Sequence, residues 1–275
     1  MTDAECVGFL QWALPQLHLR WAGFRRVRRQ VCKRVDRRLK ELQLPDTRAY
    51  RSFLKTHPEE WDFLDAACSI TISRFYRDRL VFDHLGTLLL PGLAELASSQ
   101  NELSVRCWSV GCGSGEEPYT LAILWQLTVA PRFPHLGMHI TATDIDSYLL
   151  QRARRAWYPA SSLRDVPREW MRIAFDETPR GYRVREVFRR DVEFALQDIR
   201  REQPSGGFHL VLCRNLVFTY FEEALQREVL DHILEHLEEG GILVIGHRET
   251  LPQPIAGALK AWNADLGIYR KRSPG

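Results

Sequence analysis

The stretch Val105–Leu124, VRCWSVGCGSGEEPYTLAIL, constrains this 275-residue chain more than any other. Val105–Val110 is a short apolar run that reads as a buried strand. Gly111, Cys112, Gly113, Ser114 and Gly115 follow, and only small residues make such a turn; its glycines let a ligand approach the backbone closely. A helix then opens at Glu116, with Glu117 and Pro118 in its first turn, where acidic residues and proline are at home. Leu121, Ala122, Ile123 and Leu124 give that helix an apolar side. Strand, glycine turn and helix is the opening unit of a doubly wound nucleotide-binding sheet. A G-x-G-x-G turn also occurs as a plain tight connection, so the surrounding residues have to decide.

A phosphate-binding turn leaves the helix N-terminus free for an anion. Here that end carries Glu116 and Glu117, which would repel a pyrophosphate and suit a cationic ligand. S-adenosylmethionine, with a sulfonium and an ammonium, is such a ligand. A second apolar run, His139–Thr143, ends at Asp144, where a nucleoside-binding fold places a carboxylate on the ribose hydroxyls. Asp144 also reads as a helix cap. Asp146 and Ser147 stand before the helix expected at Tyr148–Ala156, so either can cap while Asp144 binds. Phe208–Cys213, FHLVLC, is a continuous apolar run after Ser205-Gly206-Gly207, as in a buried parallel strand. It delivers Arg214 and Asn215 at its C-terminal end, where open α/β sheets bind ligands, although Asn215 also suits a turn. A helix over Glu222–Leu237, a strand over Ile242–Gly246 and a terminal pair within Leu259–Lys271 complete the expected sheet layer.

WSVGCGSGEEPYTLAIL, TATDID and LVLCRNLVFTYF, in this order and at these spacings, resemble the CheR-type chemotaxis receptor methyltransferases. SITISRFYRD at Ser69–Asp78 is similar to that family's N-terminal signature, Thr-x-x-Phe-Phe-Arg-Asp/Glu, and the resemblance covers nearly the whole chain. It implies an α/β fold: a Rossmann-like class I methyltransferase doubly wound sheet preceded by a small all-α N-terminal domain. The expected division is a helical domain at 1–90, a linker at 91–101 and an S-adenosylmethionine-binding domain at 102–275. The resemblance implies S-adenosyl-L-methionine as cofactor, S-adenosyl-L-homocysteine as product, and a glutamate methyl ester on a chemoreceptor-like protein. It places Thr71, Ser73 and Arg77 on the cofactor, the arginine fork facing the methionine carboxylate. Gly111 and Gly113 then line the cofactor, Glu117 holds the ammonium, and Asp144 the ribose. Asp191 and Val192 meet the adenine, and Asn215 and Leu216 stand beside the methyl group. Asn215 and Tyr220 are the catalytic candidates. The chain departs from the family in having Thr71 and Ser73 where Asn and Thr are common. It also has one extra residue between CRN and Tyr220-Phe221. It leaves little room between Trp157 and Asp191 for the family's antiparallel β-subdomain, with only Tyr182–Arg190 alternating like a strand.

The transfer asks little acid–base chemistry of a protein. A glutamate side chain has a pKa of ~4.3 and is ionised at neutral pH. Rate then comes from aligning carboxylate, methyl and sulfur, and from excluding water. No metal is expected, because the six cysteines form no C-x-x-C and no histidines stand at zinc spacing. Those cysteines read as buried small hydrophobes in a reducing cytoplasm.

Before the signature, helices are expected at Val7–Leu19, Phe24–Leu42, Thr47–Thr56 and Glu60–Cys68. In the second, Val27, Val31, Val35, Leu39 and Leu42 mark one face. Arg25 to Lys40 carries nine basic side chains in sixteen residues. That surface is either a solvated face or a dock for an acidic protein, and the family resemblance implies acidic receptor helices. Nucleic acid fits less well, since no aromatic residues interleave with the arginines. A net charge of +3 gives the whole molecule no polyanion-binding character. No apolar run of ~18–20 residues is evident, and MTDAECVGFLQWAL lacks a basic leader segment, so membrane insertion and a signal peptide are not expected. Two other readings keep part of this picture. One changes the acceptor to a small molecule or another protein, and the other is a non-catalytic S-adenosylmethionine-binding docking module.

Overall fold

The computed structural model describes residues 1–253 and 257–272. The chain forms two compact units, Met1–Ile72 with Thr219–Gln226, and Ser73–Phe218 with Arg227–Gly275.

The first unit is helical: α1 (Asp3–Ala13), α2 (Trp21–Phe24), α3 (Arg28–Glu41), α4 (Thr47–Thr56) and α5 (Glu60–Cys68). A capping box starts α1, the Thr2 hydroxyl accepting from the Glu5 N–H and Glu5 Oε2 from the Thr2 N–H. The helix expected over Phe24–Leu42 is two helices, α2 and α3, with a turn at residues 25–27. Val31, Val35 and Leu39 are buried along α3, as their spacing requires. Glu60 is also buried, and its carboxylate receives a bidentate Arg38 at 2.9 and 2.7 Å and the Tyr50 hydroxyl at 2.7 Å. Burial pushes its pKa up, but the Arg38 and Tyr50 bonds outweigh that and hold it below the ordinary value. The cysteine expectation needs correction. Cys6 of α1 and Cys32 of α3 form a disulfide, while Cys68, Cys107, Cys112 and Cys213 are free and buried. Residues 219–226 join this unit by backbone pairing: Arg20 N–H donates to the Tyr220 carbonyl at 2.8 Å, and Glu222 N–H to that of His18 at 2.9 Å.

The second unit carries α6 (Arg79–His84), α7 (Leu90–Ser99), α8 (Glu116–Leu124), α9 (Ser147–Arg155), α10 (Arg168–Ala174), and parts of α11 (Val217–Tyr220) and α12 (Glu223–His236). A π-turn at Leu85–Leu89 joins α6 to α7, so residues 91–99, expected in a linker, are helical. The run Arg79–Ser99 has the length and hydropathy of a membrane span, although no single apolar run in the sequence marks it as one. Its Val81, Phe82, Leu85, Leu90, Leu93 and Ala94 are buried in the core that covers one sheet face, which is ordinary for a core helix.

The described residues form ten strands: β1 (Ser104–Val110), β2 (Gly137–Asp144), β3 (Trp157–Tyr158), β4 (Phe175–Thr178), β5 (Gly181–Val184), β6 (Val192–Leu196), β7 (Phe208–Cys213), β8 (Leu237–Ile245), β9 (Leu259–Asn263) and β10 (Ile268–Lys271). Seven make one sheet in the order β6-β2-β1-β7-β8-β10-β9. Strands β6, β2, β1, β7 and β8 are mutually parallel, and β10 runs antiparallel between β8 and β9. This is the doubly wound, Rossmann-like layout expected. The order reverses at β1, which puts the switch point at the end of the strand feeding the glycine turn.

A separate sheet, β3-β5-β4, holds the segment expected as a strand over Tyr182–Arg190. Only Gly181–Val184 is extended, pairing with Trp157–Tyr158 and Phe175–Thr178, and Glu186–Phe188 is a 3₁₀ turn. The antiparallel sheet for which the sequence left little room is present in miniature.

Candidate active site at the strand ends

In the central sheet Val110 pairs with Thr143 and with Cys213, and Cys213 with Ile245. One residue further along each strand, Gly111, Asp144, Arg214 and Gly246 share one rim. Gly111 has φ +65°, and a Cβ there would lie 2.5 Å from Leu216 Cδ2. Only glycine lets Leu216 pack onto the turn. At Gly115, φ +90°, a Cβ would meet Ala153 Cβ at 2.9 Å.

Asp144 closes over this turn. Its Oδ2 accepts from Gly113 N–H at 2.7 Å and its Oδ1 from Asp146 N–H at 2.9 Å. Burial dominates its titration and raises the pKa, against the opposing pull of the Asp146, Gly113 and Ile145 N–H groups. Asp146 caps α9, with Oδ1 accepting from Tyr148 and Leu149, so the cap falls to Asp146 and not to Asp144.

Glu117 accepts the Ser109 hydroxyl at 2.8 Å on Oε1 and Arg214 Nη1 at 2.9 Å on Oε2. The Arg214 side chain is 2% exposed. Its Nη2 donates to Asp78 Oδ2 at 2.6 Å and to the Arg77 carbonyl at 3.2 Å, and its guanidinium lies 5.3 Å from the Phe82 ring centre. Arg77 and Asp78 are thereby held at the same rim as Glu117. His247 Nδ1 stands 3.6 Å from Asp78 Oδ1. Glu116 does not face this cluster. It is buried, with Ser73 and Ser114 hydrogen-bonded to it, and its Oε2 has no partner among the described residues.

The structure thus brings together Arg77, Gly111, Gly113, Glu117, Asp144, Asn215 and Leu216, while Ser73 bonds to the buried Glu116 instead. Thr71 and Tyr220 belong to the first unit, where the Tyr220 ring lies tilted on Phe24 at 4.9 Å. Asp191 and Val192 require correction. They stand at the start of β6, not its end: Val192 pairs with Ile140, whereas Asp144 pairs with Leu196. Four residues of strand put Val192 roughly 13 Å from the rim. Asp191 instead receives Gln126 Nε2 at 3.3 Å. The physical reason is that Tyr182–Arg190, although it alternates, is not the strand that leads to the rim.

The residues actually at that rim are Leu196, Gln197 and Asp198. Gln197 N–H donates to the Asp144 carbonyl at 3.1 Å, and its Oε1 is buried without a partner among the described residues. Asp198 holds Arg200 through Nε–Oδ1 and Nη2–Oδ2 bonds of 2.8 Å each. A signal existed: VEFAL followed by Gln-Asp repeats the pattern of an apolar strand ending in an acid, as in TATD. Ile145 and Leu196, 47% and 57% exposed, stand just past and opposite Asp144.

A family model described as CheR methyltransferase, SAM binding domain, matches residues 71–265. The chain is similar to a chemotaxis protein methyltransferase of Listeria monocytogenes, 32% identical over 195 residues that cover 71% of each chain. It is 31% identical over 236 residues to one of Salmonella typhimurium, covering 81% of this chain and 76% of that one. With one of Vibrio cholerae it shares 27% identity over 248 residues, 87% of this chain and 84% of the other. The glycine turn, Asp144 and the CRN strand end all lie inside the matched span, and the chain belongs to the CheR family of S-adenosylmethionine-dependent methyltransferases.

Proposed function

We propose that this chain transfers a methyl group from S-adenosylmethionine to glutamate side chains of an acidic, chemoreceptor-like protein in the cytoplasm. The observation that carries the reading is Asp144. Its carboxylate is oriented at the rim by the backbone N–H groups of Gly113, Ile145 and Asp146, where it can accept from a ribose hydroxyl.

The residues present fit the cofactor. Asp144 takes the ribose hydroxyls. Ile145 and Leu196 offer exposed apolar surface for the adenine faces, and the orphaned Gln197 Oε1 is an acceptor for its amino group. Glu117 holds the ammonium, its charge trimmed and its orientation set by Arg214, and Arg77 faces the carboxylate. Asn215 and Leu216 stand beside the transferred methyl. Thr71 and Tyr220 belong to the first unit, and the residues named above to the second. When bound, S-adenosylmethionine supplies an electrophilic methyl on a sulfonium leaving group. The acceptor carboxylate needs no base, so these side chains bind, orient and exclude water.

The acidic acceptor is favoured by the first unit. On α3 and the residues before it, Arg28 is taken by Asp3, Arg38 by Glu60, and Arg34 by the Ala67 and Ser69 carbonyls. Arg25, Arg26 and Lys33 are exposed and make no ion pair among the described residues, so their charge is available to a partner.

Calorimetry with S-adenosylhomocysteine tests the pocket: Asp144→Ala should bind about tenfold more weakly than wild type, since a buried polar partner is lost. Unchanged affinity would remove Asp144 from the pocket. Incubating the protein with labelled-methyl cofactor and receptor-containing bacterial membranes should yield label released by base as methanol. Label that resists base would exclude an ester.

A further inference from the structure

One carboxylate oxygen ties the end of β7 to the end of β8. Glu249 Oε2 accepts from Asn215 N–H at 2.9 Å and from Gly246 N–H at 2.6 Å, while Glu249 N–H donates to the Gly246 carbonyl at 2.8 Å. Asn215 sits at φ +56°, a left-handed conformation that L-residues seldom adopt without support. Gly246 makes the arrangement possible. A Cβ there would lie 2.8 Å from Glu249 Oε2 and 3.0 Å from Asn215 Oδ1, so any side chain would push the carboxylate off both N–H groups. The next residue, Leu216, is the one that packs onto the glycine turn at Gly111. Whatever fixes the backbone of Asn215 therefore also fixes Leu216 against that turn.

We propose that Glu249 is a positioning residue. Its carboxylate holds Asn215 in the left-handed conformation and sets the Asn215–Leu216 wall against the glycine turn before cofactor arrives. The inference rests on the reading that this wall lines the cofactor pocket. Glu249 follows a strand that carries no other candidate site residue, and it acts through a main chain, which is why no motif marks it.

The test is S-adenosylhomocysteine binding by calorimetry, with thermal unfolding measured alongside, on the full chain. Glu249→Ala should weaken binding about tenfold, because two N–H groups lose their acceptor. Glu249→Gln should stay within about threefold, since its amide oxygen still accepts both bonds. In an Asn215→Gly background, where glycine takes positive φ freely, adding Glu249→Ala should cost less than about threefold. Three results overturn the proposal: a folded Glu249→Ala protein that binds like wild type even though it melts earlier, a Gln variant as weak as the Ala variant, or an undiminished effect in the Asn215→Gly background. Should Glu249→Ala fail to fold, the Gln variant and the Asn215→Gly pair still decide. Failure of wild type to bind would instead remove the pocket reading itself, and the positioning role with it.

Discussion

Glu116 and Glu117 are adjacent in sequence and opposite in surroundings. Glu117 has Ser109 and Arg214 on its two oxygens at the strand-end rim. Glu116 is packed in the interior with one oxygen unpartnered among the described residues, and burial raises its pKa above the ordinary 4.5 despite the hydrogen bonds that oppose it. A carboxyl whose folded pKa is raised binds protons more readily when folded. Its contribution is most favourable below pH 4.5 and is lost as pH rises through the folded value. Glu116→Gln should therefore melt above wild type at pH 7, and the difference should close as pH falls below about 4.5. Thermal scans at pH 7 and pH 4 check this, and equal melting temperatures at pH 7 would show that the charge is compensated. At Glu117 the same change should weaken S-adenosylhomocysteine binding with little effect of that kind. Local pattern marked the pair as acidic and only the family resemblance singled out Glu117, because helical rotation about a glycine turn decides which one lies at the rim.

At the scale of elements, the link between α1 and α3 was not legible. Cys6 and Cys32 lie in two helices, 26 positions apart in the chain, and no spacing rule pairs them. Closing a loop of that size stabilises the chain by roughly 3–4 kcal/mol in the loop-entropy account. Reduction by a dithiol should thus lower the melting temperature by roughly 6–12 °C. The Cys6→Ser/Cys32→Ser variant should melt at that lower temperature with or without reductant. A melting curve indifferent to reductant would mean that the bond does not form in solution. In a thiol-reducing cytoplasm such bonds are transient, so the reduced form is the one to assay for activity. The position of β6 is the other element-scale lesson. Tyr182–Val184 and Val192–Leu196 both alternate, and only the pairing partners assign one to the small sheet and the other to the large one.

For the whole molecule, a net charge of +3 conceals a local surplus on the first unit. Nine basic residues between Arg25 and Lys40 shrink to a smaller set free for a partner once Arg28, Arg34 and Arg38 are assigned to structural bonds. Lys40 and Arg37 form exposed ion pairs with Asp36 and Glu41, which contribute little. Charge reversal at Arg25, Arg26 and Lys33 to Glu should raise the apparent KM for an acidic protein acceptor roughly tenfold at low salt. The gap should narrow as added salt shortens the Debye length to about 8 Å and below. Binding of S-adenosylhomocysteine should be unchanged. Unaltered methylation by the variant at low salt would reduce this surface to a solvated face.

Much of the central sheet is legible in the sequence alone, because its signals are local. An apolar run must be buried, glycines must stand where φ is positive, and an acid after a strand must sit at the rim. These place β1, β2 and β7, the glycine turn, Asp144 and the CRN strand end. What only tertiary structure decided involves partners distant in the chain. Which strand ends beside Asp144 and where residues 219–226 belong both depend on pairing that no periodicity encodes. Glu249 shows the physical reason most clearly. Its role comes from two main-chain N–H groups, of which Asn215 lies 34 residues away, and every residue but proline has such a group. Side-chain chemistry is written in the sequence, whereas the use of backbone groups appears only when the strands are side by side.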